Sequence, residues 1–342
     1  MVGAGYIGRV HVRVLSRIAR EEPGLVGGIY VSDVDRRRSE GVARLYGAEA
    51  YGPPSELPRD TDFAIVAVPT GLHARVVGEL ASRGVGGFLV EKPLADSVEA
   101  SRYIVGLHDR GEAWIASGHV ERFNPAVAAL ASWVARGRLG ELLASTARRI
   151  GPFAPRAGGI DVILDLGVHE VDVALALKGE EPRSVRGYTL AGVASELNDY
   201  AIVVLAFEGS YSTIEVSRIT PYKQRTLTLT GTQAAAHLDY MAQEARVYTA
   251  EMEASLRIQR EEPIYLEDLA TLRAYASGRE PPVDAYQGHV ALAVCEAARR
   301  SAAKAGEEGL AGSIDWLDEA LEGYRRYRRL LAEGGPRALL EG

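Results

Sequence analysis

Cysteine is almost missing from this chain, which holds one, Cys295. A lone thiol makes no internal disulfide, and it excludes zinc sites built from several thiolates. Its neighbours Leu292, Val294 and Ala298 mark a position in a helix core. No run approaches the ~18 apolar residues of a membrane span, and no charged-then-apolar leader opens the sequence. A cytoplasmic protein without a membrane partner is expected. Positive charge is in deficit, with 39 Lys and Arg against 46 Asp and Glu and a net charge of −7. No basic face of the kind that binds nucleic acid is visible. The densest arginine groups are Arg36-Arg37-Arg38 and Arg325-Arg326 with Arg328-Arg329, and the second reads as a solvated helix face. Internal repeats and low-complexity linkers are also lacking.

What is there fits a globular chain. Hydrophobic residues make up 47% and charged residues 25% of 342 positions, a length comfortable for two domains. The first third alternates apolar runs at 25–31, 63–68, 87–90 and 113–117 with helical patterns at 9–19, 36–46, 74–82 and 97–107. Continuous apolar strands are buried on both faces, which implies a parallel sheet covered by helices. This is the alternation of a doubly wound α/β fold. After about residue 120 the pattern changes. A helix at 124–135 precedes strand-like segments at 142–149, 184–190, 200–207, 211–218 and 225–230, interrupted by one helix at about 162–177. Strands in succession predict an open, mostly antiparallel sheet with one wet face. Helical patterns return at 266–277, 287–303 and 315–331. The expected division is therefore 1–120 for a nucleotide-binding domain, 121–309 for an α+β substrate and oligomerisation domain, and 310–342 for a helical extension. Helix 287–303 is a candidate to pack back on the first domain.

The strongest local motif is Gly3-Ala4-Gly5-Tyr6-Ile7-Gly8. Its glycines suit a tight turn, a close backbone approach to a pyrophosphate, and a tight helix–strand contact. A helical pattern follows at once, so its N-terminal amides face the phosphates. Asp33 ends the next apolar run, where a carboxylate accepts both ribose hydroxyls of NAD and repels a 2′-phosphate. NAD is thus favoured over NADP, although Arg36 and Arg37 stand close enough to offer the opposite preference. Only Met1 and Val2 precede the first glycine, whereas a central strand of ~5 residues belongs there. A start upstream of Met1 is expected on that ground.

An ordered set of motifs now stands out: the glycine turn followed by His11, then Val68-Pro69-Thr70 with His73, Glu91-Lys92-Pro93, and Gly159 leading to Asp165-Leu166-Gly167-Val168-His169. Over roughly residues 1–305 this set resembles the glucose–fructose oxidoreductase and inositol dehydrogenase family, Gfo/Idh/MocA. The resemblance implies a second domain whose open sheet carries the substrate face and often the oligomer contacts. It also implies that Val68, Pro69, Thr70, His73 and Glu91 lie on the cofactor side. Gly118-His119-Val120-Glu121-Arg122-Phe123-Asn124-Pro125 and Arg149-Ile150-Gly151-Pro152-Phe153 resemble a narrower group. Its members, of the UDP-N-acetylglucosamine 3-dehydrogenase type, oxidise nucleotide-linked amino sugars.

Oxidising a secondary alcohol needs a hydride acceptor and a base for the hydroxyl proton. Lys92 follows the apolar run 87–90, at the carboxyl edge where open α/β sheets bind ligands. Burial beside a cationic nicotinamide would lower its pKa toward neutrality. Asp165 and His169 stand at i and i+4 and share a helix face, so the carboxylate orients the imidazole. His169 then serves as base or holds the reacting hydroxyl, and Asp172 lies three residues further along. Asp165, His169 and Asp172 lack a third strong ligand cluster, so no metal is expected. Arg122 and Asn124 are candidates to line the cleft between the domains, Arg122 meeting a substrate phosphate bidentately or forming a plain interdomain ion pair. The expected function is an NAD-dependent dehydrogenase of a sugar, first a nucleotide sugar such as UDP-N-acetylglucosamine at C3. A free polyol or sugar is the alternative, and a non-catalytic dinucleotide sensor the reading from another class. The alternating strands of the second domain leave a face needing cover, so a homodimer or homotetramer is expected.

Overall fold

The computed structural model describes residues 1–154, 159–305, 308–309 and 314–341. Helix α1 spans Tyr6–Glu21 and buries Gly8, His11, Val12, Leu15 and Ile18, a stripe at three- and four-residue spacing. Strand β1 (Tyr30–Ser32) leads to α2 (Arg36–Tyr46), where the Asp35 side chain accepts from the Arg37 amide and Gly47 ends the helix at φ 70°. Then come β2 (Glu49–Tyr51), β3 (Phe63–Val66), α3 (His73–Ser82), β4 (Gly87–Glu91), α4 (Val98–Asp109) and β5 (Trp114–Gly118). Strands β3, β4 and β5 pair in parallel, as do β1 and β2. A single residue joins the two halves: Val2 bridges Ser32 on one side and Val66 on the other, both in parallel. The sheet therefore reads β2-β1-Val2-β3-β4-β5, the strand order of a dinucleotide-binding fold with one residue at its centre. Beside Val2 a cavity of about 510 Å³ opens between Gly27–Tyr30 and Asp62–Ile65, closed by Leu272, Tyr275 and Ala276.

The second half begins with α5 (Pro125–Ala135) and β6 (Leu142–Ile150). A π-helical turn, Ile163–Gly167, runs into α6 (Val168–Lys178). After it lie β7 (Ser184–Ala191), β8 (Asn198–Phe207), β9 (Ser210–Ser217), β10 (Gln224–Gly231), β11 (Ala235–Asp239), β12 (Glu244–Tyr248) and β13 (Glu253–Ser255). Helices α7 (Pro263–Ala276), α8 (Ala285–Lys304), α9 (Leu317–Gly334) and the short α10 (Ala338–Glu341) follow. Among the described residues the sheet order is β13-β12-β11-β10-β6-β9-β8-β7, extended at the β7 edge by the pair Glu308–Gly309. Within it, β6 and β9 run parallel and the other neighbours antiparallel. Burial alternates through all ten residues of β8, so one face packs on the core. The other face exposes Tyr188, Leu190 and Tyr211.

Contacts divide the described residues into two compact units. The first holds Met1–His119, Glu262–His289 and the residues from Leu340; the second holds Val120–Glu261 and Val290–Leu339. The break after residue 119 falls where the sequence pattern changes. Segment Glu262–His289, however, groups with the first unit and not with the second. The reason is α7, which packs on α1 and brings Asp268 to His11. The boundary expected at 310 lies outside the described residues. Helix α9 is part of the second unit, against α5 and α6. The helix expected over 162–177 opens instead with the π turn, and β2 and β11–β13 went unforeseen.

Candidate active site

In the first unit the glycine turn has the shape a dinucleotide requires. Gly3 adopts φ +95°, and a Cβ there would lie 2.6 Å from Ala67 O. A Cβ on Gly8 would lie 1.8 Å from Gly3 O, so turn and helix touch. At Gly5 nothing stands within 4 Å, which leaves room beside the start of α1. Among the described residues no side chain caps α1 at Gly5, and no acidic residue occupies its first turn, so its dipole is not offset there. These residues fit a pyrophosphate, with Tyr6 exposed and Ile7 half-buried at the helix start. Asp33 closes the same turn: Oδ2 accepts the Ala4 amide at 2.8 Å and Oδ1 the Asp35 amide at 2.9 Å. Arg36, the candidate for a 2′-phosphate, is drawn toward Glu40 (3.5 Å) and Glu56 (3.4 Å).

Lys92 stands half-buried immediately after β4, at the carboxyl end of the parallel sheet, and the Lys92–Pro93 peptide is cis. Its amide donates to Glu91 Oε2 at 3.0 Å. The other oxygen of Glu91 lies 3.0 Å from His11 Nε2, and His11 Nδ1 lies 2.9 Å from Asp268 Oδ1. The His11 ring is wholly buried. Desolvation works against its charged form, yet Asp268 and Glu91 outweigh that and raise its pKa well above the ordinary value. Burial likewise pushes the Glu91 carboxyl up, but His11 reverses this and the net shift is downward. For Asp268 burial, with Glu91 and Glu262 beside it, outweighs His11, and the carboxyl stays above its usual range. The arrangement is an imidazolium between two carboxylates, one of which holds the backbone of Lys92. Glu91, expected on the cofactor side, is thus occupied by His11 and Lys92. The sequence named His11 without a role, and Asp268 not at all.

His73 is buried, with Nδ1 3.2 Å from Leu94 O and Nε2 3.0 Å from Val68 O. Burial lowers its pKa. It braces the loop 67–72 against the segment after Lys92, so it serves the site as a strut. Val68 and Thr70 are half-buried and Pro69 exposed on that loop.

In the second unit, Asp165 is half-buried in the π turn and His169 buried in the first turn of α6. The wide turn changes the helical face on which the sequence placed them. Asp172 is committed elsewhere: Arg122 Nη1 donates to its Oδ1 at 3.2 Å. Arg122 has 0% exposure, and Tyr324 and Tyr327 of α9 flank it at 5.1 and 4.0 Å. The cleft position expected for Arg122 is therefore corrected to a core ion pair. Asn124 also turns inward. Its Oδ1 accepts the Ala126 amide and caps α5, while Nδ2 donates to Glu121 Oε2 (3.2 Å) and Tyr240 O (3.1 Å). The Asn124-Pro125 pair carried that capping signal. Arg149 lies between Glu121 (2.7 Å) and Glu170 (2.6 Å), and Tyr240 donates to Glu170 at 2.8 Å. The two segments that carry the narrower resemblance, 118–125 and 149–153, thus meet in one ion pair. Among the described residues no group of three or more His, Cys, Asp or Glu side chains is placed to hold a metal ion. No helix of the described residues is long and apolar enough to cross a membrane.

Residues 1–119 match the model of an oxidoreductase family with an NAD-binding Rossmann fold, and residues 127–237 match the GFO/IDH/MocA C-terminal domain. The chain belongs to the GFO/IDH/MocA oxidoreductase family. UDP-N-acetylglucosamine 3-dehydrogenase of Acidithiobacillus ferrooxidans is 25% identical over 248 residues, 72% of this chain and 75% of that protein. Its solved structure superposes with a TM-score of 0.79 at 25% identity, covering 88% of this chain and 95% of that one. Myo-inositol 2-dehydrogenase of Thermotoga maritima is 28% identical over 325 residues, 88% of this chain and 95% of that protein. Levoglucosan dehydrogenase, solved with NADH, shares the fold at a TM-score of 0.80 and 18% identity, covering 90% and 97% of the two chains. The first unit is an NAD-binding Rossmann domain, and the protein is an oxidoreductase of the class that acts on CH–OH groups.

Proposed function

We propose that this enzyme oxidises a secondary alcohol of a sugar, with a nucleotide sugar such as UDP-N-acetylglucosamine, at C3, as the first candidate. The observation that carries the chemistry is the pinning of Lys92 at the carboxyl end of β4 by Glu91, itself fixed by His11. Bound NAD supplies the hydride acceptor. Lys92 takes the hydroxyl proton. His169 and Asp165 are the second unit's candidates to hold the sugar. The nucleotide-sugar assignment draws support from the 25% identical dehydrogenase and from the Glu121–Arg149 pair. A free polyol is the second reading, supported by the 28% identical inositol dehydrogenase.

NADH formation with UDP-N-acetylglucosamine, N-acetylglucosamine and myo-inositol separates the two. Turnover of the nucleotide sugar above the others is expected; turnover of inositol alone overturns the assignment. Lys92→Ala should cut turnover by about 10²–10⁴-fold, the usual range for a general base, while NAD affinity stays. Turnover near that of the wild type would place the base elsewhere.

A further inference from the structure

We propose that Arg225 is an anion-recognition residue of the second unit, so that the substrate carries a phosphoryl or carboxylate group. The proposal rests on the dehydrogenase reading above and assigns a residue that no motif in the sequence marked.

Arg225, Leu227 and Leu229 alternate along β10 and share the face of the sheet that packs on the core. Both leucines are buried, and Arg225 stands half-buried where that face ends. Across the ladder its register partner is Arg149 of β6. Residues opposite each other on one face have Cβ atoms about 5 Å apart, and like charges there are destabilising. Arg149 is neutralised by Glu121 and Glu170, whose remaining oxygens are taken by Asn124 and Tyr240. All four oxygens of Glu121 and Glu170 are thus engaged away from the second guanidinium. Among the described residues nothing hydrogen-bonds or ion-pairs with the Arg225 side chain, while its carbonyl accepts from the Tyr240 amide at 3.0 Å.

The surrounding field points the same way. Arg149 is the main cause that lowers the Arg225 pKa, ahead of burial, and Glu121, Glu170 and Asp165 offset this only in part. Arg225 therefore feels Arg149 more strongly than any single carboxylate, and lies within electrostatic reach of the candidate site residue Asp165. A wholly buried arginine carries a carboxylate of its own, as Arg149 does, whereas Arg225 is only half-buried. A guanidinium lacking one, with five donors in a planar fork, suits a phosphoryl or carboxylate oxyanion.

The test uses the full-length chain saturated with NAD. Calorimetry measures UDP and glucuronate binding to the wild type, Arg225→Ala and Arg225→Lys, with thermal melts to show that each variant is folded. Loss of a hydrogen bond to a charged group should weaken the recognised ligand by about 10- to 100-fold in Arg225→Ala. Arg225→Lys should recover part of it, and added salt should weaken the wild type more than Arg225→Ala. Loss confined to UDP assigns the phosphoryl group, and loss confined to glucuronate assigns the carboxylate. In the matching oxidation KM should rise with kcat little changed, while KM for a neutral sugar stays constant. Equal binding of both ligands to the wild type and a folded Arg225→Ala overturns the proposal. So does failure of the wild type to bind either. Absence of NADH formation with every sugar would instead overturn the dehydrogenase substrate reading, and a binding loss in Arg225→Ala would survive it.

Discussion

The guanidinium carbon of Arg122 lies 4.0 Å from the centre of the Tyr327 ring, and the Tyr327 hydroxyl returns a hydrogen bond to the Arg122 carbonyl at 3.2 Å. Burial pushes the Tyr327 phenol up to about 12, so it stays a neutral donor. On the other side Asp172 takes the charge and Tyr324 donates to it at 3.3 Å. Helix α9 therefore supplies half of the shell around a buried cation. Tyr327→Ala should destabilise the second unit by about 3–5 kcal/mol, as for other buried aromatic truncations, and Tyr327→Phe by about 1. Urea unfolding measures both. A loss below about 1 kcal/mol in Tyr327→Ala would show that the tyrosine does not support Arg122.

His11 makes stability depend on pH in a defined direction. Its pKa in the folded protein is raised well above the ordinary 6.5 by Asp268 and Glu91, which outweigh desolvation. The folded state therefore holds a proton that the unfolded chain has released. That contribution is complete below about pH 6.5 and is lost as pH rises toward the folded pKa, at up to about 1.4 kcal/mol per pH unit. His11→Gln should lack this slope. It should also be less stable near neutrality by about 3–5 kcal/mol, because two buried carboxylates lose their cation. Denaturation midpoints from pH 6 to pH 9 give the comparison, and parallel curves for the two proteins would refute the charge assigned to His11.

Asp33 should set the choice between the two nicotinamide dinucleotides. Its carboxylate is already aligned by the amides of Ala4 and Asp35, beside the turn that fits the pyrophosphate. Asp33→Ala should weaken NAD by about 10- to 100-fold, through loss of a charged acceptor for the ribose. The same change should narrow the preference over NADP, since repulsion of a 2′-phosphate goes with it. Titration of wild type and variant with both oxidised forms decides. Tighter NADP than NAD binding in the wild type would move the assignment to Arg36 and Arg37.

Periodic features were legible in the sequence and pairings across it were not. The apolar runs that became β3, β4 and β5 stand out because both faces are buried, and α2 matched because Asp35 and Gly47 punctuate it. Strands β2 and β13, three residues each, are too short to show a period, and sheet neighbours alone make them strands. Lys92 was singled out from its place after an apolar run, and the structure puts it at the carboxyl end of β4. Arg122 was misplaced because an arginine looks the same in sequence whether it meets a substrate or Asp172, and its partner is 50 residues away. Arg225 left no signal, since its distinction is the pairing of Arg149 with other carboxylates.

The contact between His11 and Asp268 spans 257 residues of chain. A ribosome adding roughly 5–20 residues per second needs about 13–50 s to cover that stretch. Throughout that time the imidazole waits without its second carboxylate, and the whole of 120–261 emerges first. The NAD-binding unit is thus begun first and finished late in synthesis. Cutting the gene after residue 119, where the family model of the first domain stops, would leave Asp268 on the wrong fragment.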